Sequence, residues 1–242
     1  MRFSPHSHKR HCTSMQESAV SIDRRYRGPR TSANGGYAAG LLVARLGAAA
    51  AQVTLRLPPP LERPLTVRRD GARLLLEDGD VLVAEATPGD PGVTPPPSPG
   101  AAVAEEAAAG VGAWGPPEFA ECFVCGVRDD GSGLGIHPGP VPGADGLVAT
   151  TWIAHDAAPE VVWAAIDCPG AYAAGDPERG EIVLGRMTAR VDRLPEEGEH
   201  CVVVGWPLGK DGRKLFAGTA LFGASGDALA VARQVWILPR DA

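Results

Sequence analysis

Between residues 51 and 88, hydrophobic and polar positions alternate through "AQVTLRL", "LTVRRDG", "ARLLLEDGD" and "VLVAEAT". A period of two is that of strands with one face in a core. Runs of the same character return near the other end, in "EIVLGRMTARVDRL", "CVVVGWPLGKDG", "KLFAGTALFGASGD" and "ALAVARQVWIL". Each set follows a segment of different pattern. "SANGGYAAGLLVARLG" and "APEVVWAAIDCPGAYAAG" do not alternate, carry few charges and are dense in Ala and Gly. They read as helices buried on nearly all sides. The first begins through Asn34, Gly35 and Gly36, because an Asn side chain accepts hydrogen bonds from the unpaired N–H groups of a first turn. The second begins at Pro159, whose missing N–H does no harm at a first helical position. A strand precedes each helix, in "SAVSIDRRY" and "GLVATTWIA". Helix followed by antiparallel meander thus occurs twice. In both halves a Gly-Asp turn, in "EDGDVLVAEA" and "ASGDALAVARQ", leads into an alternating strand. The pattern predicts a structural duplication.

The Pro/Gly-rich stretch "PGDPGVTPPPSPG", residues 88 to 100, forbids continuous ladders and marks a boundary. "AAVAEEAAAG" beyond it has good helix formers and predicts a short surface helix within a connector. The expected organisation is a disordered tail over 1–17, a first repeat over 18–88, a connector over 89–120 and a second repeat over 121–242. The tail is basic and contains His6, His8 and His11, but it has no periodicity and almost no large apolar residue, so disorder is a better reading than a metal site. It also lacks the apolar segment of a secretory signal.

Composition narrows the function. With 242 residues, 44% of them hydrophobic, the chain can bury a substantial core. A formal charge of -6 argues against a nucleic-acid surface, which needs clustered Lys and Arg. No stretch approaches the roughly 20 apolar residues of a membrane span. The expectation is a cytoplasmic protein without nucleic-acid or membrane partners. Five cysteines, an odd number without a signal segment, make a disulfide framework improbable. Cys122 and Cys125 in "CFVCG" have the spacing of half a zinc site, but no second Cys or His pair stands close in the sequence. They read as an apolar turn with two buried thiols, and neither a metal nor another cofactor is expected.

Asp167 ends the apolar run "VVWAAI" and stands two places before Pro169. Burying a charge without a partner costs several kcal/mol. It is therefore either the N-cap of a short helix starting at Cys168 and Pro169 or the reagent of a site. Gln234 lies in an alternating strand, where a lone polar residue ordinarily faces solvent. Asn34 reads first as a cap. His137 and His155 lie in turn-like contexts. Arg186, Arg190 and Arg193 suit a solvated strand face or the phosphates of a ligand. Trp152, Trp163, Trp206 and Trp236 read as core or interface anchors.

An Ala/Gly-rich helix wrapped by an antiparallel sheet, twice over, resembles the hotdog fold in its double-hotdog form, an α+β architecture. "ANGGYAAGLL" looks like the start of the first helix of double-hotdog acyl-CoA thioesterases. "VVWAAIDCPGAY" is similar to the part of their second repeat in which an aspartate ends a run of small and apolar residues. "DALAVARQVWIL" looks like their last strand, which supplies a glutamine. The resemblance covers most of residues 18 to 242 outside the connector, and "CFVCGVRDDGSGLGIHPGP" is similar to the opening of single-hotdog thioesterase-like proteins.

The resemblance implies hydrolysis of an acyl-CoA or related thioester, with Asp167 activating water or attacking directly and Gln234 helping to orient the water. It places Asn34, Gly35 and Gly36 at the substrate and its oxyanion, where a helix N-terminus favours negative charge. It brings no cofactor and makes a homodimer of double-hotdog chains the candidate oligomer. A Thr or Ser expected early in the strand after the second helix is missing: "IVLGRMT" has Leu184 and Gly185 there, with Thr188 further on. That gap keeps open a non-catalytic acyl-CoA or acyl-ligand binding protein. A hotdog hydratase would need a histidine partner, which "IDCPGAY" does not supply.

Overall fold

A computed structural model describes residues 17–113, 115–175 and 182–239. The tail, apart from residue 17, lies outside the described residues. The first half contains β1 (Glu17–Val20), α1 (Gly35–Leu46), β2 (Ala50–Leu55), β3 (Leu65–Asp70), β4 (Arg73–Asp78) and β5 (Val81–Pro88). After α2 (Ala101–Ala108) come β6 (Gly139–Pro140), β7 (Val148–Ile153), α3 (Pro159–Ala165) and α4 (Pro169–Ala174). The chain then completes β8 (Val183–Val191), β9 (His200–Asp211), β10 (Lys214–Phe222) and β11 (Ala228–Ile237).

Among the described residues the strands make one 11-stranded antiparallel sheet in the order β1-β3-β4-β5-β2-β8-β11-β10-β9-β7-β6. Read outward from the β2–β8 seam, the two sides repeat one connectivity. Each runs from the strand after its helix, to the last strand of its half, back through the meander to the strand before the helix. The seam pairs Ala50 with Arg190 through to Thr54 with Arg186. It therefore joins the strands that follow the two helical segments, antiparallel to each other.

Helices α1 and α3 pack against each other. Gly36 to Val43 of α1 are all buried, which explains why this stretch carries no charge. Gly47, with φ of 74°, closes α1 in the left-handed conformation that glycine adopts without steric penalty. The second helical segment is two helices, with the second starting at Pro169 as the cap reading of Asp167 expects. Pro169 has no N–H with which to continue the ladder of α3, so the helix breaks across Ile166, Asp167 and Cys168.

The connector helix α2 also does more than decorate the surface. Along β9, Cys201 and Val203 join the core that holds α1 and α3, whereas Val202 and Val204 join a second core with Ala104 and Ala107 of α2. Alternation thus buries both faces of the sheet here, with α2 as the cover of the outer one. No helix is long and apolar enough to cross a membrane among the described residues.

Candidate functional site

The α3–α4 break aims Asp167 at the N-terminus of α1. Asn34 caps that helix, its Oδ1 accepting from the Tyr37 N–H at 2.9 Å, while its Nδ2 donates to Asp167 Oδ2 at 3.0 Å. The Gly36 N–H donates to the same oxygen at 2.9 Å. Asp167 is 2% exposed, and its Oδ1 has no hydrogen-bond partner. Burial pushes the carboxyl up to about 7, against the opposing pull of the Gly36 N–H and the Asn34 amide. It does not cap α4: the residue in that position is Cys168, and α4 has no side-chain cap.

A largely apolar cavity of about 320 Å³ has Asp167 in its lining. Both halves build it, with Gly35, Leu55 and Pro59 from the first and Cys122, Leu184 and Trp236 from the second. The volume lies within the range of small-molecule pockets, about 300–1,000 Å³.

Two expected roles are corrected by the hydrogen bonds. Gly36 was expected at the substrate and its oxyanion, but its N–H is taken by Asp167. The first-turn donor left is the Gly35 N–H, which has no partner among the described residues. Gln234 reaches the site from beneath. It is fully buried, with Nε2 donating to Ile166 O at 2.7 Å and Asp167 O at 3.1 Å, and Oε1 accepting from Trp236 Nε1 at 2.8 Å. Its amide holds the backbone under Asp167. Thr219, which the sequence reading missed, donates its Oγ1 hydrogen to Ile166 O at 2.7 Å and completes that brace. Leu184 and Gly185 line the cavity, and Thr188 does not.

Gln234→Ala should therefore act on stability first. It strands Trp236 Nε1, at about 1–3 kcal/mol for a buried polar group left unpaired, and leaves a cavity where the amide stood. Thermal unfolding should show a loss of at least about 2 kcal/mol. An unchanged melting temperature would contradict the brace.

The "CFVCG" pair is not alone. Cys168, adjacent to Asp167, brings its Sγ to 3.9 Å from Cys122 Sγ, and the sulfurs of Cys122, Cys125 and Cys168 all lie within 4.8 Å of one another. None of the three forms a disulfide. The expectation of an isolated pair failed because the third thiol arrives through the fold, 46 residues after Cys122. Hydrogen bonds from Cys125 and Cys168 hold the Cys122 thiol well below its ordinary range, and Cys168 is pushed up correspondingly.

The remaining candidates stand elsewhere. His137 Nε2 lies 3.0 Å from Cys125 O, His155 pairs with exposed Glu197, and no described histidine lines the cavity. Arg190 pairs with Asp192 and Asp90, Arg193 with Glu199, and Arg186 donates to Thr54 Oγ1. Trp152, Trp163 and Trp236 are core residues, and Trp206 is half-buried.

No protein family and no curated protein matches the sequence. Solved structures do. A candidate thioesterase from Novosphingobium aromaticivorans superposes with a TM-score of 0.65 at 14% identity, over 93% of this chain and 96% of that one. Acyl-CoA thioesterase II from Mycobacterium marinum gives 0.58 at 11% identity, over 95% and 97%. A conserved protein of unknown function from Alicyclobacillus acidocaldarius, described by its hot dog fold, gives 0.56 at 12% identity, over 95% and 97%. The chain has the hotdog fold. Dehydratase domains share it too, so the hotdog scaffold alone does not select a reaction. In this hotdog protein the Asp167 carboxyl lies where the helices of the two halves meet.

Proposed function

We propose that the protein is a double-hotdog thioester hydrolase. Residues 18–88 and 121–242 are its two repeats, 89–120 the connector, and the site between them cleaves an acyl-CoA or related thioester with a water activated by Asp167. The mirrored strand order about the β2–β8 seam supports the duplication. The observation that carries the chemistry is Asp167 Oδ1, buried and unpartnered beside an apolar cavity. Asn34 and Gly36 hold Oδ2, which leaves Oδ1 to accept a proton.

In the first step a water bound to Oδ1 gives its proton to the carboxylate as its oxygen attacks the thioester carbonyl. The Gly35 N–H and the positive end of α1 stabilise the oxyanion. Collapse breaks the carbon–sulfur bond, and the proton on Asp167 passes to the departing thiolate. Direct attack by Oδ1 would instead form a mixed anhydride, and a single turnover in isotopically labelled water would mark Asp167 only in that case. A hydratase reading is disfavoured because no described histidine reaches the cavity.

The test is incubation with acyl-CoAs of graded chain length and a thiol reagent, against a protein-only blank for the chain's own cysteines. Steady release of CoA supports hydrolysis. Saturable binding without release makes the protein an acyl-CoA binding module, and neither binding nor release rejects both.

A further inference from the structure

The three thiols beside Asp167 are not needed by this chemistry. Buried cysteines pack as small hydrophobes, which accounts for their burial but not for the polar group beside them. Asn34 Nδ2 lies 3.9 Å from the sulfurs of both Cys122 and Cys168. A donor placed in this way stabilises a thiolate, the form that binds metal.

The turn that carries the pair is built before any ion arrives. The Gly126 N–H donates to Cys122 O at 2.8 Å. Gly126 passes so close that any Cβ would overlap the Cys122 backbone, so the tight turn requires glycine there. The Phe123 N–H donates to Arg27 O at 2.7 Å, and Ile136 N–H to Val124 O at 2.9 Å, which pins the turn to the fold. Cys168 is fixed independently by the α3–α4 break.

Distances also fit. A tetrahedral ion with metal–sulfur bonds of about 2.3 Å needs sulfur–sulfur edges of about 3.8 Å. The Cys122–Cys168 edge is 3.9 Å, and no edge exceeds 4.8 Å. Rotamer adjustments of about 1 Å would close the rest. Three thiolates around a dication leave one negative charge. Arg128 stands near enough to Cys122 to interact with it electrostatically, while its guanidinium is anchored on Glu121 O and Arg25 O.

We propose that Cys122, Cys125 and Cys168 bind one thiophilic divalent cation of the zinc class, with its fourth position open to the cavity. Sulfur ligands select such an ion over magnesium or calcium. Binding displaces the remaining thiol protons, so it releases acid and tightens as pH rises.

The full-length protein is reduced, stripped with a chelator and titrated with cobalt(II) as an optical probe, then with zinc. One equivalent of cobalt should give sulfur-to-metal charge-transfer absorption with tetrahedral d–d bands, and zinc should displace it. Cys122→Ser and Cys168→Ser should weaken binding by more than about 100-fold, beyond what loss of an outer hydrogen bond costs. Cys201→Ser and Cys12→Ser should leave it unchanged. Should a serine variant misfold, zinc protection of the three thiols from alkylation, mapped by mass spectrometry on the unaltered chain, supplies the same answer. Absence of the charge-transfer band, its persistence in Cys168→Ser, or alkylation of the three thiols unaffected by zinc would overturn the site. None of these readouts involves turnover, so the cation site and the hydrolase reading stand or fall separately.

Discussion

Asp167→Asn should lower thioester hydrolysis by on the order of 100-fold or more, the usual worth of a positioned general base, with melting temperature unchanged or raised. Asn keeps the shape of the side chain. Its carbonyl oxygen can still accept from Asn34 Nδ2 and the Gly36 N–H, so the contact between α1 and the α3–α4 break survives. What changes is the atom beside the cavity, which becomes an NH₂ group with no lone pair to take a proton from water. Stability does not fall because burial of the carboxylate is itself unfavourable and two hydrogen bonds offset only part of that cost. A purely structural aspartate would give an Asn variant with full turnover. Steady-state hydrolysis and thermal unfolding on the same sample separate the two cases, and full activity would end the role of Asp167 as base.

Gly36→Ala should be more damaging than its size implies. In an exposed helix such a change would stabilise by up to about 1 kcal/mol, because Ala is the better helix former. Here the added Cβ would lie 2.6 Å from Asp167 Cβ, 2.6 Å from Trp163 O and 3.1 Å from Ala164 Cα. Two of those atoms belong to backbone and cannot move aside as a flexible side-chain end would. The helices must separate, at about 1–3 kcal/mol or more, and the Gly36 N–H withdraws from Asp167. Melting temperature and hydrolysis should therefore fall together. Gly112→Ala is the control, since a Cβ there meets nothing within 4 Å and its backbone needs no left-handed conformation. A stabilised Gly36→Ala variant would contradict the close contact of α1 and α3.

What the sequence disclosed and what it hid divide along physical lines. Strands were legible because one buried face imposes a period of two. The helix cap at Asn34 was legible because capping is local. Asp167 was conspicuous because a charge after six apolar residues has few benign explanations. Its partners were less visible. Gln234 could be placed on a strand, but its orientation depends on Gly170 above it, where a Cβ would collide with the Gln234 amide. Thr219 carries no signal of its own, since a threonine in a strand is ordinary. Cys168 joins Cys122 and Cys125 only because Pro169 breaks the helix and α3 lies on α1. That depends on tertiary packing, and no spacing rule in the sequence encodes it.

The matching strand order of the two halves conceals a chemical inequality. Asn34 caps α1, but the equivalent place before α3 is Ala158, which offers no side-chain acceptor, and Pro159 after it has no N–H. Val43 stands as far beyond Asn34 as Asp167 stands beyond Ala158, and it is packed in the core. On the proposed duplication, the counterpart of the site thus has neither carboxylate nor cap amide, and one donor fewer. In an assembly of identical subunits such a loss would strike every copy at once. Within a single polypeptide the halves vary independently, so one pocket can keep its reactive groups while its counterpart is surrendered to packing. Ligand should accordingly saturate at one molecule per chain.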